Sequence, residues 1–290
     1  MAFRPVLRPG PGWSYKPRMP YELIALDLDD TLLKEDLTIS AANREALREA
    51  SRRGIRIVLA SGRNIHSMQR YAEDLDAAGP GEYMICTNGA EILETATGRR
   101  IFAQAMDGEL CREVARELAA RGFPWQVYEG GIIKTNRMNP WAEEDRRLTG
   151  QALEAIAPEE VDPLLGRGQT KFVVPGTPSS IARLHAELSA LFAGRAEVLI
   201  SKPYFLEILA YGVDKGNALA RLCTILGLDL SRTMAAGDAM NDLGMLRTTG
   251  LACVPANAIP EAKALADWVS ERSNEEDFVA EMVRRFALGA

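Results

Sequence analysis

The sequence predicts an α/β fold: a parallel-sheet core interrupted by an inserted α+β domain. Short apolar runs alternate with helical patterns from Tyr21 onward, the pattern of a parallel sheet with crossover helices. That alternation gives way to a different order of strand-like pieces over 91–201, then resumes. Several apolar runs also end in acids or a hydroxyl, and in an open α/β sheet ligands bind outside the carboxyl ends of the strands.

The first strand is read at 23–27. Ser40 is placed to cap a helix over 41–52, with Gly54 ending it. The second strand, 55–60, runs into Ser61-Gly62-Arg63, and a helix follows over 64–77. The third strand, 83–86, leads into Thr87-Asn88-Gly89-Ala90. In the insertion, strand-like pieces fall at 100–104, 125–128, 132–135, 171–174, 197–200 and 205–209, with helices at 108–121 and 179–192. Gly130-Gly131 between two of these pieces signals a hairpin. The alternating pattern returns with a helix over 215–226, capped by Asp214 and closed by Gly227. Strands at 233–236 and 251–254 and helical segments at 259–266 and 275–287 complete it. The expected division is an arm at 1–20, a core at 21–90 and 202–290, and the insertion at 91–201.

The bulk numbers narrow the function. A length of 290 residues allows one large domain or two smaller ones. A net charge of -6 offers no basic field for a nucleic-acid backbone. The cysteines Cys86, Cys111, Cys223 and Cys253 form no CxxC pair and read as buried apolar residues in a reducing compartment. Residues 1–20 are rich in Pro, Gly and basic side chains and lack the apolar core of a signal peptide. No run of ~18 apolar residues suggests a membrane span, so the expected location is the cytoplasm.

The chemistry concentrates in four places. Asp27 and Asp29 stand two apart at the end of a buried strand, so an extended backbone projects both to one side. Two such carboxylates repel by about 3 kcal/mol at an effective dielectric near 20, and a cation would explain their company. Asp238 and Asp242, four apart at a helix start, add hard oxygen ligands that suit Mg²⁺. Ser61 can donate to a phosphoryl oxygen beside Gly62, which permits close backbone approach. Lys215 in a first helical turn opposes the helix dipole unless an anion is near. Each has a plainer reading: helix caps for Ser61, Asp238 and Asp242, a solvated side chain for Lys215, a turn for Asn88 and Gly89.

Four stretches, DLDDTLL at 27–33, LASGR at 59–63, DKGNAL at 214–219 and GDAMND at 237–242, resemble the haloacid dehalogenase-like hydrolase superfamily. TNGA at 87–90 and the insertion after it resemble the Cof-type subfamily with an α/β cap over a Rossmann-like core. The resemblance spans nearly all of the chain after Pro20. It implies a Mg²⁺-dependent phosphatase of small phosphorylated metabolites, sugar phosphates among them, with no nucleic-acid or membrane partner. Asp27 would be the nucleophile that carries the phosphoryl group. Asp29 would be the general acid and base, with a raised pKa, and its backbone carbonyl would join Asp27, Asp238 and Asp242 around the metal. Lys215 would neutralise the reacting centre. Ser61, Asn88, Gly89 and Asn241 would line the phosphate site, and Asp30 would only support its turn.

Lys134, Asn136 and Arg137 are candidate substrate contacts in the cap; Trp125, Tyr128 and Trp141 read better as its packing. Val254-Pro255-Ala256-Asn257-Ala258 departs from the family pattern, because Pro255 removes an amide donor, and Phe278 stands where the family often has Gly. Two further readings remain open: a sugar phosphomutase, and a phospho-acceptor module without turnover.

Overall fold

Leu23, Ile24, Ala25 and Leu26 are wholly buried, and they form the strand at the centre of a large sheet. A computed structural model describes residues 21–289; the expected N-terminal arm lies outside the described residues. In chain order the first elements are β1 (Leu23–Leu26), α1 (Ala41–Arg52), β2 (Arg56–Ala60), α2 (Ile65–Asp74), β3 (Tyr83–Cys86), β4 (Glu91–Glu94) and β5 (Arg100–Ala103). Then come α3 (Gly108–Ala120), β6 (Gln126–Glu129), β7 (Ile132–Thr135), α4 (Pro140–Thr149), β8 (Ala152–Ala155), α5 (Pro158–Gly166), β9 (Lys171–Pro175), α6 (Pro178–Leu191), β10 (Ala196–Lys202) and β11 (Phe205–Ala210). The last are α7 (Lys215–Leu226), β12 (Thr233–Ala236), α8 (Leu243–Thr248), β13 (Leu251–Val254), α9 (Pro260–Leu265), β14 (Trp268–Val269) and α10 (Phe278–Val283).

The large sheet has the order β14-β13-β12-β1-β2-β3-β4-β5. From β14 to β3 neighbouring strands are parallel, which fits the near-continuous apolar content and burial of β13, β12, β1, β2 and β3. β4 and β5 join antiparallel at one edge. The smaller sheet has the order β10-β11-β9-β6-β7-β8 and is antiparallel except for the β7–β8 pair. Its own core gathers around Trp125, Phe172, Leu184 and Phe192.

Both expected edges of the insertion move. Residues 100–103 pair with β4 in the large sheet, and β11, across the expected far edge, belongs to the smaller one. A hairpin that extends a sheet edge and a strand of an inserted sheet have the same local pattern, so alternation alone cannot separate them. The sequence reading also omits α4, α5 and β8. α4 carried signals: Asn139 caps it, Pro140 opens it, and Gly150 closes it in a left-handed conformation.

Other local signals hold. Ser40 caps α1 through the Asn43 amide, and Gly54 follows the helix at φ +86°. Gly130 and Gly131 take φ +56° and +85° in the β6–β7 hairpin, as a tight hairpin turn requires. Phe278 is wholly buried and stacks on Trp268. The four cysteines are buried and unbridged.

Candidate active site

The carboxyl ends of β1, β2 and β12 open on one edge of the large sheet, and each delivers a site residue there. Asp27 follows β1, Ser61 follows β2, and Gly237-Asp238 follows β12. Asp214 caps α7 by accepting from the Gly216 and Asn217 amides, which sets Lys215 at the first helical position. Lys215 is wholly buried, and its Nζ lies 2.5 Å from Asp27 Oδ1 and 2.6 Å from Asp242 Oδ1. Asp242 Oδ2 accepts from the Asp238 and Ala239 amides, each at 3.0 Å. Only glycine fits at 237, because a Cβ there would stand 2.5 Å from the Asp242 side chain. Thr31 Oγ1 donates to Asp238 Oδ1 at 2.8 Å.

Asp27, Asp238 and Asp242 offer carboxylate oxygens that lie within 4.8 Å of one another, all buried. Burial, then Asp242, push the Asp27 carboxyl well above its usual range, against the pull of Lys215. Burial and Asp242 likewise push Asp238 up to about 7. One ammonium among three carboxylates leaves an excess of negative charge, and a divalent cation corrects it. The oxygens fit that ion. Asp27 Oδ2 and Asp238 Oδ2 carry no hydrogen bond from the described residues, and a small hard cation takes one or two carboxylates plus waters and substrate oxygens. Both oxygens of Asp242 are engaged by Lys215 and the loop amides, so it braces the cluster.

Asp29 differs from expectation. Arg63 grips it with two hydrogen bonds, Nε to Oδ2 at 2.9 Å and Nη2 to Oδ1 at 2.7 Å. Burial alone would raise the Asp29 carboxyl, but Arg63 and then Lys202 hold it below its ordinary value. The repulsion that crowds Asp27 therefore comes first from Asp242, with Asp29 the weakest contributor. An ionised Asp29 suits a base; to donate a proton it must loosen from Arg63. Arg63 stands as a further residue of the site. It is 7% exposed, and its Nη1 also reaches the Leu148 carbonyl at the end of α4. Asp30 does more than support its turn: at φ +59° it sends Oδ2 to Lys202 Nζ at 2.6 Å, while Asn257 Nδ2 fastens its carbonyl.

Ser61 and Asn241 line the cleft. Asn88 and Gly89 do not. Asn88 sits behind the cleft, its Nδ2 2.7 Å from Glu207 Oε2 and its Oδ1 accepting from Asn241 Nδ2. Gly89 packs on the start of α7, where a Cβ would meet the Asp214 carbonyl at 2.4 Å. Thr87 and Asn88 both take φ +54°, a strained conformation for a β-branched residue, held by hydrogen bonds that their amides donate to the Arg63 and Ser61 carbonyls.

The smaller sheet covers the cleft, which encloses about 90 Å³. Its wall presents Tyr128, Asp145, Gln151, Lys171, Lys202 and Glu207. Lys134, Asn136 and Arg137 are absent from it: Lys134 pairs with Glu154, Asn136 accepts from the Trp125 amide, and Arg137 reaches the Gly122 carbonyl. Trp125 packs edge-on against Phe172 and Trp141 stacks on Tyr204, so those two aromatics are packing, whereas Tyr128 reaches the cleft. Lys171 donates to the Gly62 carbonyl at 2.8 Å and to Glu207 Oε2 at 3.2 Å, tying cap to core. Asp145 Oδ2 accepts from Gln126 Nε2 and the Tyr128 hydroxyl, each at 2.5 Å, and burial pushes its carboxyl up to about 6. A signal for two of these was present: Lys171 and Glu207 are lone charges in otherwise apolar strands.

A phosphoryl-transfer site is the chemistry these groups define, and the comparisons with known proteins agree. The chain matches the haloacid dehalogenase-like hydrolase family over residues 24–283. An HMP-PP phosphatase of Yersinia pseudotuberculosis is 30% identical over 249 residues, 84% of this chain and 86% of that protein. The 5-amino-6-(5-phospho-D-ribitylamino)uracil phosphatase YcsE of Bacillus subtilis is 28% identical over 269 residues, 92% of this chain and 96% of that one. A haloacid dehalogenase-like hydrolase from Bacteroides thetaiotaomicron superposes with a TM-score of 0.82 at 29% identity, covering 91% of this chain and 99% of its own. The chain belongs to the haloacid dehalogenase-like hydrolases and is an enzyme of that family.

Proposed function

We propose that this enzyme is a Mg²⁺-dependent phosphatase that hydrolyses a small phosphate monoester through an aspartyl-phosphate on Asp27. The observation that carries this reading is the buried cluster of Asp27, Lys215, Asp238 and Asp242, with Asp29 two residues from Asp27. An Asp27 oxygen attacks phosphorus, and the ester P–O bond breaks. Asp29, protonated and released from Arg63, gives its proton to the leaving alkoxide. It then takes a proton from the water that attacks phosphorus, and the bond to Asp27 breaks, freeing phosphate. Lys215 holds the Asp27 carboxylate and the charge that builds on the phosphoryl oxygens. The Ser61 hydroxyl and the Asn241 side-chain amide would donate to those oxygens. Asp27, Asp238 and the Asp29 backbone carbonyl would hold Mg²⁺, which supplies charge neutralisation and orients the phosphoryl group.

Among the described residues no helix is long and apolar enough to cross a membrane, and the four buried free cysteines suit a reducing compartment, so we place the enzyme in the cytoplasm. Hydrolysis of an aryl phosphate tests the reading. Activity is expected to vanish when metal is chelated and to return with added Mg²⁺; activity untouched by chelation would overturn it.

A further inference from the structure

The cap wall of the cleft is poor in free donors and rich in free acceptors. Asp145 is 6% exposed; Oδ2 takes both protein hydrogen bonds, and Oδ1 receives none from the described residues. Gln151 is 7% exposed; its Nε2 donates to Asn64 Oδ1 at 2.6 Å, and its Oε1 is buried with no partner among the described residues. Glu207 is 4% exposed; Oε2 accepts from Asn88 and Lys171, and Oε1 receives no hydrogen bond from the described residues. All three residues line the cleft across from the reacting carboxylates.

The buried, unmatched Gln151 Oε1 costs about 1–3 kcal/mol, and the unengaged oxygens Asp145 Oδ1 and Glu207 Oε1 stand on the same wall, so the three fit a ligand that brings the donors. The charges point the same way. Six carboxylates and three cations line the cleft. Each cation is already committed: Arg63 to Asp29 and the Leu148 carbonyl, Lys171 to Glu207 and the Gly62 carbonyl, Lys202 to Asp30. Arg63 is freed only when Asp29 leaves it in the reaction, while Lys171 and Lys202 stay paired, so a second phosphate at this wall would meet no unpaired cap cation.

We propose that Asp145, Gln151 and Glu207 form a donor-reading wall that selects phosphate monoesters whose leaving group carries hydroxyl or ammonium groups, and that rejects diphosphates. This rests on the phosphatase reading above and adds the class of leaving group. Asp145 is its main specificity residue, because its unengaged oxygen belongs to a carboxylate with no ion pair among the described residues, whereas Glu207 is paired with Lys171. Rejection of substrates without donors follows from the same acceptors, since an apolar leaving group would bury them unpaired.

The test uses the full chain with Mg²⁺ and five probes: nitrophenyl phosphate, sorbitol phosphate, aminoethyl phosphate, hexyl phosphate and hexyl diphosphate. Sorbitol phosphate or aminoethyl phosphate is expected to exceed hexyl phosphate and hexyl diphosphate in kcat/KM by about tenfold or more, and the better of the two identifies hydroxyl or ammonium as the donor. In Asp145→Asn, the ratio of that substrate's kcat/KM to that of nitrophenyl phosphate is expected to fall about tenfold, mainly through KM. Gln151→Met should lower the same ratio by a smaller factor. Turnover of nitrophenyl phosphate without preference among the other probes, a preference for hexyl diphosphate, or an unchanged ratio in both variants would overturn the wall and leave the phosphatase reading standing. No turnover of any probe would overturn the phosphatase reading and the wall with it.

Discussion

The two sides of the cleft are built by different rules. On the core side, Asp27, Ser61 and Asp238 stand at the ends of parallel strands that pair with one another, so sheet register places them. On the cap side, Asp145 comes from α4, Lys171 from β9, and Lys202 and Glu207 from β10 and β11. None of these sits in a motif with its partners. Strand ends collect chemistry wherever the sheet is parallel, whereas a cap wall depends on which faces of an inserted sheet turn toward the core. In the proposed reaction the core side would hold the reacting atoms, and the cap side would meet the leaving group.

Removing the central cation should break the core side hardest. Lys215→Met would leave Asp27, Asp238 and Asp242 facing one another without a buried positive charge. Activity toward an aryl phosphate should fall about 10³-fold, and metal-free stability should fall by about 3–5 kcal/mol, read by denaturant unfolding in chelator. A variant with near-normal kcat would break the claim that Lys215 serves the reacting centre.

A smaller effect should appear where the two sides join. Arg63→Gln removes the paired hydrogen bonds to Asp29 and the tie to α4. Arg63 and Lys202 hold Asp29 below its ordinary value, so between that depressed value and the unfolded one the native state binds fewer protons than the unfolded chain. The resulting stabilisation is present at neutral pH and is lost as pH falls through the depressed value. The stability gap between wild type and Arg63→Gln should therefore be about 2 kcal/mol at neutral pH and should narrow in acid. A gap that stays constant with pH would show that Arg63 acts by packing alone. Where release from Asp27 limits kcat, its acid limb should also move to higher pH in the variant, because Asp29, the base of that step, then gives up its proton later.

How much of this was legible in the sequence follows the same division. The core strands, the caps Ser40 and Asp214, and the acids at 27, 238 and 242 were readable because local pattern and strand-end chemistry coincide there. Arg63 was in view after the second strand, but its role depends on a carboxylate 34 residues away. The raised pKa expected for Asp29 failed because proximity to acids was visible in sequence while the opposing guanidinium's aim was not. Asn88 and Gly89 were adjacent to the right strand end, yet left-handed backbone turns them behind the cleft. Lys134 and Arg137 looked like cap-turn cations, but their strand and loop face Glu154 and the Gly122 carbonyl. Glu207 and Lys171 were lone charges inside apolar strands, a signal of burial with a partner that spacing alone could not assign.

The central claim is that Asp27 carries the phosphoryl group and releases it on every turnover. Rapid quenching in acid during steady hydrolysis, followed by mass spectrometry of the peptide that contains Asp27, measures this directly. One phosphoryl group is expected on that peptide in wild type, forming and decaying fast enough to account for kcat, with none in Asp27→Asn, whose activity should fall on the order of 10⁴-fold or more. Full-rate hydrolysis with no phosphoryl group on Asp27, or a phosphoryl group that persists without turnover, would contradict the account.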